Sequence, residues 1–216
     1  MSIIFLIRHA ESSANAGGRT TDPSKINLTE KGFEQATYLA NAFKSQPDFI
    51  VTSPYLRTKQ TAKPLLERFN NIEQVEWMVQ EFTYLSPAKC QSTTTQERRP
   101  LVNQYWERNN PFFSDGIGAE SFADLLKRVE HFIEQVKYLE NKSVAVFSHG
   151  QFIRAIIWRI LNGKADVSPL EMKQFRNFMT SFEINNASTV KLQVEKDDSM
   201  WISSVDISYL PQELLS

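Results

Sequence analysis

The sequence has one cysteine, seven glycines and no surplus of basic side chains. The lone thiol, Cys90, excludes an internal disulfide and any zinc site built from several cysteines. The chain carries 24 basic and 25 acidic side chains, so its net charge is −1. Non-specific nucleic-acid binders use a surplus of lysine and arginine to displace counterions, and that surplus is missing here. A local anion pocket stays open, because a few arginines suffice to build one.

Long apolar runs are missing as well. No stretch reaches the ~18 consecutive apolar residues of a membrane span. The apolar run at residues 3–7 is too short for a signal peptide, and no basic region precedes it. We therefore expect a cytoplasmic protein that has neither nucleic-acid nor membrane partners.

The 216 residues show the alternation that is typical of an α/β protein. Short apolar runs at residues 3–7, 49–51 and 144–147 predict strands. Patterns with helical spacing cover residues 33–43, 54–69, 122–139 and 151–161. Strands that alternate with helices predict a three-layer α/β/α sandwich around a mainly parallel sheet.

Two further segments stand apart from this alternation. Residues 188–194 and 200–207 predict a hairpin at or near a sheet edge, a surface through which two copies could form a homodimer. Segment 84–118 contains several prolines and a threonine tract and shows no sustained periodicity. Segments of this length are usually lids, so we expect a single domain over residues 1–216 with a lid inserted at about 84–118. Arg98 and Arg99 of that lid could bind a second anionic group of the substrate, but we expect them to be a pair of solvated charges.

Two histidines and two arginines follow the predicted strands at their carboxyl ends. They are Arg8, His9, Arg57 and His149. Ligands of open α/β sheets bind beyond the carboxyl ends of the strands. A guanidinium group can bind two phosphate oxygens at once. Neutral imidazole is a nucleophile, and positively charged neighbours keep it neutral because they lower its pKa. The sequence therefore predicts a phosphoryl site at this edge of the sheet.

The residues around these side chains resemble the signature of the histidine phosphatase superfamily, the phosphoglycerate mutase-like proteins. The resemblance starts with Leu-Ile-Arg-His-Ala-Glu-Ser at residues 6–12, followed by Asn15. It continues, in family order, through residues 28–32, 53–58, 118–121 and 148–150. The resemblance implies the sandwich fold already expected, and an enzyme that needs neither a metal nor another cofactor.

The resemblance also implies a role for each side chain. His9 would attack phosphorus and become transiently phosphorylated. Three others would hold the phosphoryl oxygens and stabilise the charge of the transition state: Arg8, Arg57 and His149. Asn15 and Ser12 match positions at the substrate phosphate, although both could also be turn formers.

Glu81 follows a strand that we expect at about residues 75–79, and it matches the proton donor of the family. It would protonate the leaving alkoxide and then activate the water that hydrolyses phosphohistidine. The Gly-x-Trp-x-Gly sequence that often follows this acid in the family is replaced by residues 82–87, so acids of the lid remain candidates. These are Glu97, Glu107 and Asp115.

The preferred function is that of a phosphatase acting on a small phosphomonoester, a hydrolase of the histidine acid phosphatase type. The short insert between Glu81 and His149, without an Arg-Tyr-Gly-like motif after the acid, is unlike that of the cofactor-dependent mutases. Two alternatives stay open: a cofactor-dependent phosphoglycerate mutase and a catalytically silent protein that binds a phosphorylated ligand.

Overall fold

A mixed sheet between two helical layers forms the centre of the protein in a computed structural model, which describes residues 1–164 and 166–216. The strands are β1 (Ser2–Arg8), β2 (Phe49–Thr52), β3 (Glu73–Glu76), β4 (Ser143–Ser148), β5 (Thr189–Val194) and β6 (Met200–Ile202). The helices are α1 (Glu30–Ala42), α2 (Leu56–Arg68), α3 (Pro87–Cys90), α4 (Arg99–Arg108), α5 (Phe122–Lys137), α6 (Gly150–Asn162) and α7 (Pro169–Ser181), and a 3₁₀ turn covers Gln212–Leu214. The expected three-layer α/β/α architecture is confirmed.

The sheet has the strand order β3-β2-β4-β1-β5-β6. Its first four strands are parallel, and β5 pairs antiparallel with β1. β5 and β6 form the expected antiparallel hairpin at the edge, although β6 already ends at Ile202. Because parallel neighbours end at the same edge of a sheet, the carboxyl ends of β1, β2 and β4 lie side by side.

Alternate residues of the central strand enter two separate cores. Ile4 and Leu6 pack with α5 and α6 on one face, whereas Ile7 packs with α1 and α2 on the other. Each of these side chains is at most 1% exposed. A strand that is covered on both faces carries a continuous apolar run, which is why residues 3–7 indicate this strand so clearly.

Local capping interactions set the ends of several helices. Thr29 caps α1 by accepting a hydrogen bond from the Gly32 amide. Ser121 and Asp124 form a capping box at the start of α5. Gly163 ends α6 with a φ of 71°, a left-handed conformation that glycine adopts without strain. None of the described helices combines the length and hydropathy that crossing a bilayer would require.

Some elements differ from the sequence-based expectation. Pro54 precedes α2 instead of occupying its first position, because Tyr55 is the N-cap. The strand expected at residues 75–79 ends at Glu76, since the chain then turns and the Val79 amide bonds back to the Trp77 carbonyl. α7 has no counterpart among the expected helices, although a serine caps it and a proline occupies its first turn.

The segment expected as a lid, residues 84–118, is partly helical. It contains α3 and α4, and α4 packs into the main core. Tyr105 and Trp106 are buried, and the Trp106 ring lies 6.3 Å from that of Phe175 on α7, measured between centroids. This aromatic contact attaches the lid to the body of the domain.

Candidate active site

The carboxyl ends of β1, β2 and β4 bring the predicted site residues together. β1 and β4 are in register at Arg8 and Ser148, so His9 and His149 follow at the same level of the sheet. Their ring centroids lie 5.1 Å apart. Arg57 comes from the first turn of α2, which follows β2, and its guanidinium bonds to both rings.

The hydrogen bonds of His9 determine which of its ring nitrogens can react. Nδ1 lies 2.7 Å from the Ala10 carbonyl oxygen, and since a carbonyl can only accept, Nδ1 carries the proton. Nε2 accepts a hydrogen bond of 3.1 Å from Arg57 Nε. The lone pair of His9 is therefore on Nε2, next to a cation that can hold an anionic substrate.

The surroundings of His9 favour the neutral ring. The side chain is 4% exposed, and burial lowers its pKa well below the usual value. The positive charges of Arg57 and Arg8 lower the pKa further, because both disfavour imidazolium. Neutral imidazole is the nucleophilic form, so burial and charge together keep His9 reactive.

Arg57 uses each of its nitrogens on a different partner. Besides the bond to His9, Nη2 donates to His149 Nδ1 at 2.9 Å and Nη1 donates to the Pro23 carbonyl at 2.7 Å. Burial lowers the pKa of Arg57 to about 10, which still leaves the guanidinium charged at neutral pH. A buried cation is costly unless an anion accompanies it, so this position favours the binding of a negatively charged ligand.

His149 contacts the guanidinium of Arg57 and is fully buried. Because Arg57 can only donate, His149 Nδ1 accepts, and the proton on Nε2 is donated to Ser53 Oγ at 2.8 Å. Burial, and then the charge of Arg57, lowers the pKa of His149 as well. In this arrangement the ring orients Arg57, while a direct contact between His149 and phosphate stays a prediction.

A second guanidinium, that of Arg8, is oriented by the loop after α7. Its Nη1 donates to the Ile184 carbonyl at 2.6 Å, and burial lowers its pKa to about 10. Arg154 of α6 lies beside it and donates Nε to the Phe182 carbonyl at 2.5 Å. At Gly150 a Cβ atom would lie 3.0 Å from Arg154 Nη1 and 3.4 Å from Arg8 Nε. The missing side chain at Gly150 thus lets both arginines approach the start of α6.

Glu81 supplies the carboxylate of the site. Its Oε1 accepts hydrogen bonds from the Gln151 amide at 3.1 Å and from the Phe82 amide at 3.0 Å. Gln151 belongs to the first turn of α6, where unpaired backbone amides favour a negative charge. Among the described residues that line the cleft, Glu81 is the sole acid.

The other acids that the sequence left open lie away from the cleft. Glu97 forms a surface ion pair with Arg19 at 2.7 Å, and Asp115 pairs with a lid lysine at 2.6 Å. Glu107 is exposed on α4. Position therefore favours Glu81 over these three as the proton donor.

Asn15 and Ser12 belong to a network that also includes Asn186. Asn15 Oδ1 accepts hydrogen bonds from Ser12 Oγ at 2.8 Å and from Asn186 Nδ2 at 3.2 Å. Asn186 Nδ2 also donates to the His9 carbonyl at 3.0 Å. Since these bonds occupy Oδ1, Nδ2 is the group that Asn15 can offer to a ligand. Asn15 and Ser12 both line the cleft, and their contact with phosphate stays a prediction.

The cleft has a volume of about 280 Å³. The sheet edge and the turns after it contribute Arg8, His9, Arg57 and Glu81, and the lid and a neighbouring loop contribute Thr20, Tyr84, Arg98 and Val102. The ion pairs that arginines form within the described part of the chain involve other positions: Arg19, Arg128 and Arg159. The arginines of the cleft therefore have no direct carboxylate partner there, and the cleft favours anions.

The sequence motifs did not single out every residue of the site. Ser53, Arg154 and Asn186 each hold a predicted site residue or lie against one. Ser53 follows β2 directly, a position at which site residues are expected, so strand-end reasoning could have found it. Arg98, expected as a solvated charge, lines the cleft instead, because the lid folds over the site.

Comparison with known proteins agrees with this geometry. A sequence model of the histidine phosphatase superfamily (branch 1) matches residues 4–205. Phosphoserine phosphatase 1 of Hydrogenobacter thermophilus is 29% identical over 195 residues, which cover 84% of this chain and 92% of that protein. A 2,3-bisphosphoglycerate-dependent phosphoglycerate mutase of Rhizobium etli is 29% identical over 168 residues, which cover 72% of this chain and 78% of the mutase.

A solved structure shares the fold. A phosphoserine phosphatase mutant of Entamoeba histolytica, in complex with phosphoserine, superposes with a TM-score of 0.74 at 21% identity, over 98% of this chain and 100% of that one. The residues that the family model matches include His9, Arg57 and His149. On that match the chain belongs to the histidine phosphatase superfamily, as its motifs indicated.

Proposed function

We propose that the protein is a phosphatase that hydrolyses a small phosphomonoester through a phosphohistidine intermediate on His9. One observation carries this proposal: the neutral ring of His9 presents its Nε2 lone pair to the buried guanidinium of Arg57. Phosphoryl transfer depends mainly on positioning and on the stabilisation of charge. A nucleophile beside a cation whose direct hydrogen-bond partners are all neutral supports both.

In the first step His9 Nε2 attacks phosphorus, and the bond between phosphorus and the leaving oxygen breaks. Glu81 gives its proton to that oxygen, while Arg8 and Arg57 stabilise the charge on the non-bridging oxygens. The phosphorylated ring becomes positively charged. The Ala10 carbonyl, which accepts from Nδ1, stabilises that charge.

In the second step water releases the phosphate. Glu81, now a carboxylate, takes a proton from the water while the water oxygen forms a bond to phosphorus. The phosphorus–nitrogen bond breaks, and its electron pair returns to His9 Nε2. We assign Asn15 Nδ2 to a phosphoryl oxygen, and Ser12 to the positioning of Asn15. His149 acts through Arg57, with direct contact to the phosphoryl group as an additional part of its proposed role.

The size of the cleft favours a small substrate. Its volume of about 280 Å³ lies just below the range that is usual for ligand pockets, which is roughly 300–1,000 Å³. The relatives described above are named for phosphoserine and phosphoglycerate, so phosphorylated metabolites of that size are the first candidates.

A cytoplasmic location and pairing of two copies through the β5–β6 hairpin stay predictions.

The environment of His9 also supports an enzyme of the acid phosphatase type. An unperturbed histidine becomes charged below about pH 6.5 and then loses its nucleophilic lone pair. Burial lowers the pKa of His9, so this ring stays neutral on the acid side of that value. The proposed nucleophile therefore remains competent in mildly acidic solution.

Replacing the proposed nucleophile tests the function itself. The His9→Ala variant should release no phosphate from an aryl phosphate, whereas the exposed His131→Ala control should keep wild-type turnover. An alkaline quench of wild-type enzyme with labelled substrate should trap a phosphoprotein that acid hydrolyses, and His9→Ala should form none. Turnover by His9→Ala would remove His9 from the mechanism, and isomerisation of a phosphoglycerate without phosphate release would identify a mutase instead.

The Glu81→Gln variant tests the proton donor. General acid–base catalysis contributes roughly 10²–10⁴-fold, so kcat should fall by that factor. With an aryl phosphate, whose leaving group needs little protonation, the variant should accumulate phosphohistidine, because the second step still needs a base. Glu97→Gln and Glu107→Gln are matched controls that should keep wild-type kcat. If either control loses activity while Glu81→Gln keeps it, the acid is assigned wrongly.

Histidine NMR tests the protonation state of the site. The pKa values of His9 and His149 are lowered, so their ring signals should stay at the neutral position as pH falls from 7.5 to 5.5. His9→Gln and His149→Gln variants assign the two signals among the three histidines. Titration of the His9 signal at or above pH 6.5 would contradict the proposed neutral nucleophile.

A further inference from the structure

The main chain of His9 is held by the turn that precedes β5. The His9 carbonyl accepts a hydrogen bond from the Ala187 amide at 3.2 Å and another from Asn186 Nδ2 at 3.0 Å. Asn186 Nδ2 also donates to Asn15, the residue assigned to a phosphoryl oxygen. A change in the shape of this turn would therefore move the nucleophile and a phosphate-binding residue together.

The turn depends on an unusual backbone conformation at Ala187. The Ser188 amide donates to the Asn185 carbonyl at 3.2 Å, which closes a four-residue turn over residues 185–188. Ala187 is the third residue of this turn and has a φ of 55°, a left-handed value that glycine or asparagine usually supplies. For a residue with a Cβ atom this conformation is unfavourable, so contacts outside the turn are needed to maintain it.

One such contact comes from Tyr209, in the loop after β6. Its hydroxyl donates at 2.6 Å to the carbonyl of Ala187, a residue that is fully buried. Burial raises the pKa of Tyr209, so the phenol keeps the proton that this bond needs. Since that proton goes to a carbonyl, the hydroxyl of Thr189 is the donor in its contact of 2.8 Å with the Tyr209 oxygen. Two backbone hydrogen bonds between Thr189 and Asp206 attach the loop to β5, so Tyr209 holds Ala187 from a fixed position.

We infer that Tyr209 is a positioning residue for the nucleophile, and that it acts by holding Ala187 in its left-handed conformation. The inference rests on the proposed function, in which His9 attacks phosphorus. The described residues that line the cleft do not include Tyr209, so it acts through the turn rather than on the substrate. Without the hydroxyl, the cost of the left-handed conformation favours a turn in which Ala187 has an ordinary φ. The bonds from this turn to the His9 carbonyl are then weakened.

A double-mutant cycle with Tyr209→Phe and Ala187→Gly tests this role. Tyr209→Phe removes only the hydroxyl and keeps the ring, which packs against the cluster that contains Ala187. In the otherwise wild-type protein it should lower kcat for an aryl phosphate by about 5–30-fold, which corresponds to the cost of a left-handed alanine. Glycine adopts a positive φ without strain, so in the presence of Ala187→Gly the same change should lower kcat less than about twofold. Tyr138→Phe changes an exposed tyrosine and is the matched control, which should keep wild-type kcat.

The NMR signals of the His9 ring provide a second measurement that does not depend on turnover. These signals should shift in Tyr209→Phe, because the main chain of His9 loses part of its support. They should return to the wild-type position when Ala187→Gly is added, since the turn can then keep its shape without the hydroxyl. Tyr138→Phe should leave them unchanged.

The outcomes distinguish this inference from the proposed function. Wild-type kcat in Tyr209→Phe, or a loss of kcat that Ala187→Gly does not restore, would mean that Tyr209 contributes at most to packing, and either result overturns the inference. If wild type releases no phosphate from an aryl phosphate, the proposed function itself fails. The His9 signals then still decide the role of Tyr209, because unchanged signals in Tyr209→Phe overturn it.

Discussion

The site depends on one buried cation held between two imidazole rings. Arg57 donates to Nε2 of His9 and to Nδ1 of His149, and both bonds require those nitrogens to be unprotonated. Burial of the whole group strengthens this requirement, because charge repulsion is screened less in the interior than in water. The positive charge of Arg57 therefore does two things at once. It keeps the nucleophile neutral, and it provides the attraction for an anionic substrate.

The fold serves this arrangement by bringing distant segments to one edge. The register between β1 and β4 places His9 beside His149, and β2 leads directly into the helix that carries Arg57. The loop after α7 then contributes carbonyl oxygens that orient Arg8 and Arg154. Most contacts of the site thus join segments that are far apart in the chain. A change that destabilises the pairing of these strands would consequently also disturb the geometry of the site.

The sequence predicts the strand-end residues and the fold because parallel strands share a carboxyl edge. Buried strands with continuous apolar runs, together with Arg8-His9 and Ser148-His149-Gly150 after them, contain enough information. The position of Arg98 could not be obtained in this way. It depends on the packing of the lid residue Trp106 against α7. Few residues of α7 are buried, Met172 and Phe175 among them, so the sequence pattern did not predict this helix. Asn186 and Arg154 are likewise placed by long-range contacts, which local periodicity does not encode.

The central claim is that one phosphoryl group binds between Arg8, Arg57 and His9 Nε2. Orthovanadate mimics the five-coordinate phosphorus of the transfer step, so a crystal structure of the protein with vanadate tests it most directly. The account predicts vanadium bonded to His9 Nε2, with equatorial oxygens on both guanidiniums and the opposite apical oxygen facing Glu81. Vanadate bound elsewhere, or held in the cleft with His9 Nε2 turned away from it, would contradict the account.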